Sequence, residues 1–185
     1  MRLLALMLFL GFALAADYYP HGLGYFWKYS SGEVQRFVRV KELAGSRVWM
    51  LEHTYADGAR LTEAMSFRDD GVWVFAVYTG AEAMYYEPPL KLYPPPPLKV
   101  GDSWGQTTRL KGRELVVSSE VVGIKGVSVP AGRFNAFVIE NRMRAEGGSE
   151  SLVFIYFVPG VGVVRYLSPD GAVIDLVEFS LEHSE

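Results

Sequence analysis

Residues 60–78 read RLTEAMSFRDDGVWVFAVY and contain the pattern that decides the fold. Two β-rich runs, Arg60–Arg68 and Val72–Tyr78, lie on either side of Asp70-Gly71. Asp and Gly both favour turns, Gly because it tolerates a positive φ and Asp because its side chain bonds nearby backbone. The stretch therefore predicts two antiparallel strands joined by a short turn.

The two strands differ in their faces. In the first, the apolar residues Leu61, Met65 and Phe67 share one side, and the other side is polar. The second, Val72–Tyr78, is apolar on both sides. Such a strand is covered on both faces or lines a protected cavity, which a sheet curled into a barrel would provide.

Short β-rich segments of this kind, separated by turn signals, continue along the chain. The predicted strands are Tyr25–Tyr29, Glu33–Leu43, Ser46–Tyr55, Arg60–Arg68, Val72–Tyr78, Ala83–Glu87, Ser103–Leu110, Glu114–Ile124, Phe134–Arg144, Ser149–Val158, Gly162–Leu167 and Ala172–Ser180. Regular spacing predicts an all-β, mainly antiparallel fold, a strongly curved meander forming a half-barrel or barrel. Residues 17–24 and 79–83 are the places where a turn of helix is expected, and the tail 181–185 is expected to fray.

Tyr93–Pro97 is a proline-rich piece that interrupts the pattern. Proline fixes φ and cannot donate a backbone hydrogen bond, so the piece predicts polyproline II structure. We interpret it as a stiff crossover between two halves of the sheet. A ligand for a proline-recognising domain is the alternative.

Residues 1–16, MRLLALMLFLGFALAA, have the pattern of a cleavable secretory signal peptide. Arg2 is followed by an apolar run, Leu3–Leu14, which is shorter than the roughly 20 residues of a membrane-spanning helix. Small residues at Ala13 and Ala15 predict cleavage after Ala15 or Ala16. The alternatives are an uncleaved anchor or a buried first helix. Since the chain has no cysteine, we expect no lipid anchor and a periplasmic or extracellular product.

The remaining residues, 17–185, have the length and apolar content of a single β domain with its own core. The absence of cysteine excludes disulfides and thiolate chemistry, so packing alone must stabilise the fold. The chain has a net charge of −3 and no basic run, which argues against nucleic acid as a partner. Scarce amides and ten prolines favour a thermophilic source.

The sequence offers little catalytic chemistry. The histidines are His21, His53 and His183, and no two have metal-ligand spacing, so we expect no metal and no cofactor. His53 is interpreted as a half-buried structural histidine, with a functional role as the alternative. Gly101-Asp102-Ser103 is similar to the start of a serine esterase block, but Asp102 is expected to cap a turn. We therefore do not expect an enzyme.

Three blocks carry a family resemblance: LKLYP (90–94) with PLKVGDSW (97–104), VPAGRFNA (129–136) and YFVPGVGVV (156–164). Together they resemble a poorly characterised family of bacterial exported β-proteins, similar in fold to the lipoprotein carriers of the LolA/LolB type. The resemblance covers roughly residues 85–180. It implies a carrier-like sheet and does not imply catalytic residues.

Three hypotheses about function follow. The leading one is an exported soluble domain that binds or carries a hydrophobic small molecule, lipid or acyl chain in the cell envelope. Its candidate cavity-lining residues are Trp49, Met65, Phe67, Trp73, Phe75, Phe154 and Tyr156. The second is a structural or protein-interaction envelope protein with a filled core. The third, an esterase-like enzyme, requires ester turnover that Ser103→Ala abolishes.

Overall fold

The computed structural model describes residues 17–182, which form a closed antiparallel barrel of twelve strands. The strands are β1 (Phe26–Tyr29), β2 (Val34–Leu43), β3 (Ser46–Thr54), β4 (Arg60–Arg68), β5 (Gly71–Thr79), β6 (Glu82–Tyr93), β7 (Ser103–Leu110), β8 (Arg113–Val129), β9 (Gly132–Ala145), β10 (Glu150–Val158), β11 (Gly162–Leu167) and β12 (Val173–Ser180). Each strand pairs with its sequence neighbours, and β1 also pairs with β12, which closes the barrel. The predicted all-β antiparallel barrel is confirmed.

The part of the chain from 17 to 182 contains no helix, so the expected helical turns at 17–24 and 79–83 are wrong. Gly80 and Ala81 instead form a tight turn, with Thr79 in β5 and Glu82 and Ala83 in β6. No helix within 17–182 is long and apolar enough to cross a membrane. The predicted signal peptide (1–16) and His183 lie outside the described residues.

The β6–β7 pair is joined by side chains more than by its backbone. Its ladder covers only Tyr86 with Leu110 and Glu87 with Arg109. Beyond it, Thr108 Oγ1 donates to the Pro88 carbonyl at 2.6 Å, and Gln106 Nε2 donates to the Pro89 carbonyl at 2.8 Å. These bonds let β6 continue through two prolines, well past the predicted end at Glu87.

The β8–β9 hairpin supports a second short ladder, between β11 and β12. That ladder covers only residues 165–167 with 173–175. The turn of the β8–β9 hairpin bonds to β12 just beyond the end of this ladder, because Ala131 N donates to the Leu176 carbonyl at 3.1 Å. Arg165 also donates to the Ser128 carbonyl at 3.3 Å. The extra length of β8 beyond its predicted end thus helps to close the barrel.

A β-bulge in β5 separates an outer apolar cluster from the barrel interior. The register shifts at Phe75, between Val74 and Ala76. Val74 pairs with Met65 on the inner face, whereas Ala76 pairs with Ala64 in the outer cluster. The outer cluster consists of Val48, Met50, Ala64 and Ala76. The bulge therefore divides residues that alternation places on one side of this strand, since Val72 and Val74 pack inside the barrel and Ala76 packs in the outer cluster.

Residues 17–24 form an N-terminal cap that packs against one end of the barrel. Tyr19 is buried and donates its hydroxyl to the Pro94 carbonyl at 2.9 Å. The ring of Tyr19 stacks on Tyr93, with centroids 5.0 Å apart. His21 stacks on Phe67 at 3.9 Å. The cap is therefore continuous with the apolar core.

Candidate functional site

The barrel interior contains a cavity of about 240 Å³. Side chains from the cap, from β1 to β6 and from β10 and β11 line it. They are Tyr19, Pro20, Trp27, Tyr29, Gln35, Phe37, Leu51, His53, Glu63, Met65, Phe67, Val72, Leu92, Tyr93, Ile155, Phe157, Gly162, Val163 and Tyr166. The wall is mostly aromatic and aliphatic, as in binding sites for small molecules.

The end of the cavity next to the cap is apolar. Tyr19, Tyr93 and Phe157 form a ring cluster there, with centroid distances from 5.0 to 5.4 Å. Trp27 closes one side by donating its indole N–H to the Val161 carbonyl at 2.6 Å. Tyr29 donates its hydroxyl to the Val163 carbonyl at 3.0 Å. Because these polar atoms bond backbone, the rings present apolar faces to the cavity.

Three ionisable side chains lie at the other end of the cavity, and we call them the polar trio: His53 and Glu63 in the cavity wall, and Glu33 behind them. His53 Nδ1 lies 2.7 Å from Glu33 Oε1, and Gln35 Nε2 donates to the same oxygen at 3.0 Å. His53 Nε2 lies 3.4 Å from Glu63 Oε2, outside hydrogen-bond geometry. Among residues 17–182, this nitrogen is a buried side-chain atom without a hydrogen-bond partner.

Strand register brings the trio together. Gln35 on β2 pairs directly with His53 on β3, and Leu51 on β3 pairs with Glu63 on β4. Glu63 and His53 are therefore diagonal neighbours on the inner face. Glu33 comes from the β1–β2 turn, where the Glu33 carbonyl accepts from Tyr29 N at 2.9 Å.

The trio carries a buried charge at neutral pH. Burial alone would lower the pKa of His53, but its interactions with Glu33 and Glu63 outweigh burial and raise the pKa to about 9. Burial would raise the pKa of Glu33, yet hydrogen bonds from His53 and Gln35 hold it below its ordinary value. His53 is thus an imidazolium held against a carboxylate.

We expect the free energy of unfolding to fall as the pH rises from about 7 to above 9. The folded pKa of His53 exceeds its unfolded value of about 6.5, so the stabilisation is complete below that value and is lost as the pH passes 9. A shift of this size corresponds to about 3 kcal/mol. Urea unfolding from pH 6 to 10 measures it. A His53→Leu variant with the same pH slope as the wild type would contradict the assignment.

Tyrosine hydroxyls surround the polar trio. Burial raises the pKa of Tyr166 to about 12, although hydrogen bonds with Gln35 and Tyr29 act to lower this pKa. Burial and the charge of Glu63 raise the pKa of Tyr86 to about 12. These phenols are neutral at physiological pH and can donate or accept hydrogen bonds.

The residues that the sequence suggested as cavity lining are divided among several places. Met65 and Phe67 line the cavity. Trp49 packs beside it, near His21 and Phe37. The other four are not among the lining residues. Trp73 makes cation–π contacts with Arg68 and Lys91, and Phe75 packs on the outer cluster. Phe154 and Tyr156 are sequence neighbours of the lining residues Ile155 and Phe157.

Sequence reasoning missed Glu63, although a signal for it was present. Glu63 stands between Leu61 and Met65 at alternating positions, so it shares their apolar face. A carboxylate on an apolar face is costly to bury unless it has a partner. Its partner is His53, which the sequence left between a structural and a functional interpretation.

The trio does not have the geometry of a metal site. Each imidazole nitrogen faces a different carboxylate, so the three groups do not converge on one point. Within residues 17–182, no group of three or more His, Asp or Glu side chains could hold a metal ion. Asp102, in the esterase-like tripeptide, accepts from Lys99 N at 2.7 Å, as expected for a turn cap.

Two solved structures are similar to this barrel. One is a provisionally assigned lipoprotein of Parabacteroides distasonis, with a TM-score of 0.53 and 11% identity, over 90% of this chain and 99% of that one. The other is a provisionally assigned exported protein with a YmcC-like fold from Bacteroides fragilis, with a TM-score of 0.51 and 16% identity, over 89% and 99%. No family model and no curated protein matches the sequence.

At these identities the likeness establishes the fold alone. The match covers nearly the whole of each solved chain, so the full barrel and not a fragment of it is shared. The likeness to LolA and LolB that the sequence blocks imply stays a hypothesis. The cavity and its polar trio must be interpreted from this chain's own residues.

Proposed function

We propose that this chain is an exported β-barrel protein that binds a small apolar or amphipathic molecule inside its barrel. The cavity of about 240 Å³, lined by aromatic side chains and polar at one end, carries the proposal. An engineered apolar cavity of about 150 Å³ is large enough to bind benzene. The space here suits a single ring or a short chain with a head group.

Export is the second part of the proposal. Residues 1–16 have the pattern of a signal peptide, and the two similar solved structures are described as an exported protein and a lipoprotein. These observations support a role in the envelope or outside the cell.

We propose a binding role and not a catalytic one. Both nitrogens of His53 face carboxylates, so the imidazole is held as a cation and is a poor general base. Ser103, the candidate esterase nucleophile, begins β7 and pairs with Glu120 of β8, whereas His53 lies on β3. The two residues belong to different parts of the barrel wall.

A filled structural barrel is the second candidate. The stacked rings of Tyr19, Tyr93 and Phe157 occupy much of one end, and the cavity is smaller than the roughly 300–1,000 Å³ of sites for drug-sized ligands. These features favour an interaction protein with a rigid core. Direct binding measurements separate the two candidates.

We expect 1-hexanol to bind the wild type and Val163→Phe to weaken that binding at least about tenfold. The new ring would occupy space now lined by Val163, whereas Val173→Phe adds the same ring at an exposed position of β12. Calorimetric titration of all three proteins measures this. Equal binding by the two variants, or none by the wild type, would favour the filled barrel.

A further inference from the structure

The acidic end of the cavity bears on which ligands it can accept. Glu63 and His53 belong to the cavity wall, whereas Glu33 stands behind them and is not part of the lining. One carboxylate oxygen of Glu33 accepts hydrogen bonds from both His53 Nδ1 and Gln35 Nε2. The positive charge of His53 is therefore balanced from behind by Glu33.

This arrangement leaves Glu63 facing the cavity. Its nearest cationic atom, His53 Nε2, lies at 3.4 Å without hydrogen-bond geometry. The trio sets two carboxylates against one imidazolium, so one negative charge is in excess. In a partly buried site such a charge attracts a cation and repels an anion more strongly than in water.

The walls of the cavity suit a cation with an apolar tail. The aromatic rings of Trp27 and Tyr29 line the space, and aromatic rings attract ammonium groups. The end next to the cap, with Phe67 and Phe157, is apolar. A ligand would place its tail toward the cap and its head group toward Glu63.

Resting on the ligand-binding role above, we propose that the cavity selects small primary amines with a short apolar tail and rejects carboxylates of the same size. The ammonium group donates to the carboxylate of Glu63, and the tail packs among the rings. Fatty acids, which a carrier of acyl chains would take, are disfavoured by the excess negative charge.

The test compares n-hexylamine, 1-hexanol and hexanoate by calorimetric titration at pH 7.5. We expect hexylamine to bind about tenfold more tightly than hexanol, because its ammonium group adds the attraction of opposite charges to the hydrogen bond that either head group can donate to Glu63. Hexanoate should bind least. In Glu63→Gln, hexylamine should bind no more tightly than hexanol binds the same variant.

Glu82→Gln is the matched control. Glu82 is exposed, pairs with Lys111 at 2.6 Å and lies outside the cavity wall, so its loss should leave the amine preference unchanged. A second readout needs no variant, since hexylamine should shift the imidazole NMR resonances of His53 and hexanoate should not.

The outcomes separate the two proposals. If hexanol binds as tightly as hexylamine, or if the preference survives in Glu63→Gln, selection by charge is overturned and the ligand-binding role stands. If hexanoate binds most tightly, the selection is overturned as well. If none of the three probes binds, the ligand-binding role itself is overturned.

Discussion

Gly71→Ala is expected to lower the free energy of unfolding by about 3 kcal/mol or more. Gly71 follows the β4–β5 turn with a φ of +127°, which is strained for any residue with a Cβ. A Cβ there would lie 2.3 Å from the Tyr93 carbonyl oxygen and 3.2 Å from the Pro94 carbonyl carbon. These are backbone atoms, so the end of β6 must move away from β5.

Gly58→Ala is the control for backbone strain alone. Gly58 has a φ of +83°, but a Cβ added there would meet no atom within 4 Å, so we expect a loss of only about 1 kcal/mol. Urea denaturation of both variants measures the difference. Similar losses would show that the close approach of Gly71 to β6 is not rigid.

The same substitution at Gly71 should also weaken ligand binding. Tyr93 lines the cavity and stacks on Tyr19, whose hydroxyl bonds the Pro94 carbonyl. Displacing Tyr93 and Pro94 shifts the apolar end of the cavity. The β4–β5 turn, which the sequence identifies plainly, therefore supports the cavity as well as the barrel.

His53→Leu is expected to cost about 3 kcal/mol at pH 7. Leucine is apolar and somewhat similar in size, but it leaves Glu33 and Glu63 without their cation in a largely buried site. Removing one partner from a buried ion pair typically costs about 3–5 kcal/mol. Chemical denaturation at constant pH measures the loss.

The triple variant His53→Leu, Glu33→Gln and Glu63→Gln tests the cause. If the cost comes from unpaired carboxylates, neutralising both should restore most of the lost stability. A triple variant as unstable as the single one would assign the cost to packing around His53.

Most of the strand pattern could be predicted from the sequence. Arg60–Arg68 and Ser103–Leu110 begin and end where predicted, because turn residues lie beside both ends of each strand. The end of β6 could not be predicted in this way. Pro88 normally ends a strand, and here its carbonyl is bonded by Thr108, twenty residues away.

The faces of β5 show why the cavity could be predicted only in part. Val72–Tyr78 is apolar on both sides, so alternation alone could not show which side faced inward. Met65 and Phe67 line the cavity, and the polar face of their strand indicates which side faces inward. Glu33 stood at the start of the predicted strand Glu33–Leu43, but β2 begins at Val34, and Glu33 contacts His53 from the preceding turn.

The most direct test of the internal binding site compares NOEs from a bound ligand to two methionine methyl groups. Met65 lines the cavity, whereas Met50, which is also buried, lies in the outer cluster. With methyl-labelled methionine and bound 1-hexanol, we predict intermolecular NOEs from the ligand to the Met65 methyl and none to that of Met50. NOEs to Met50, or to neither methyl from a bound ligand, would contradict a site inside the barrel.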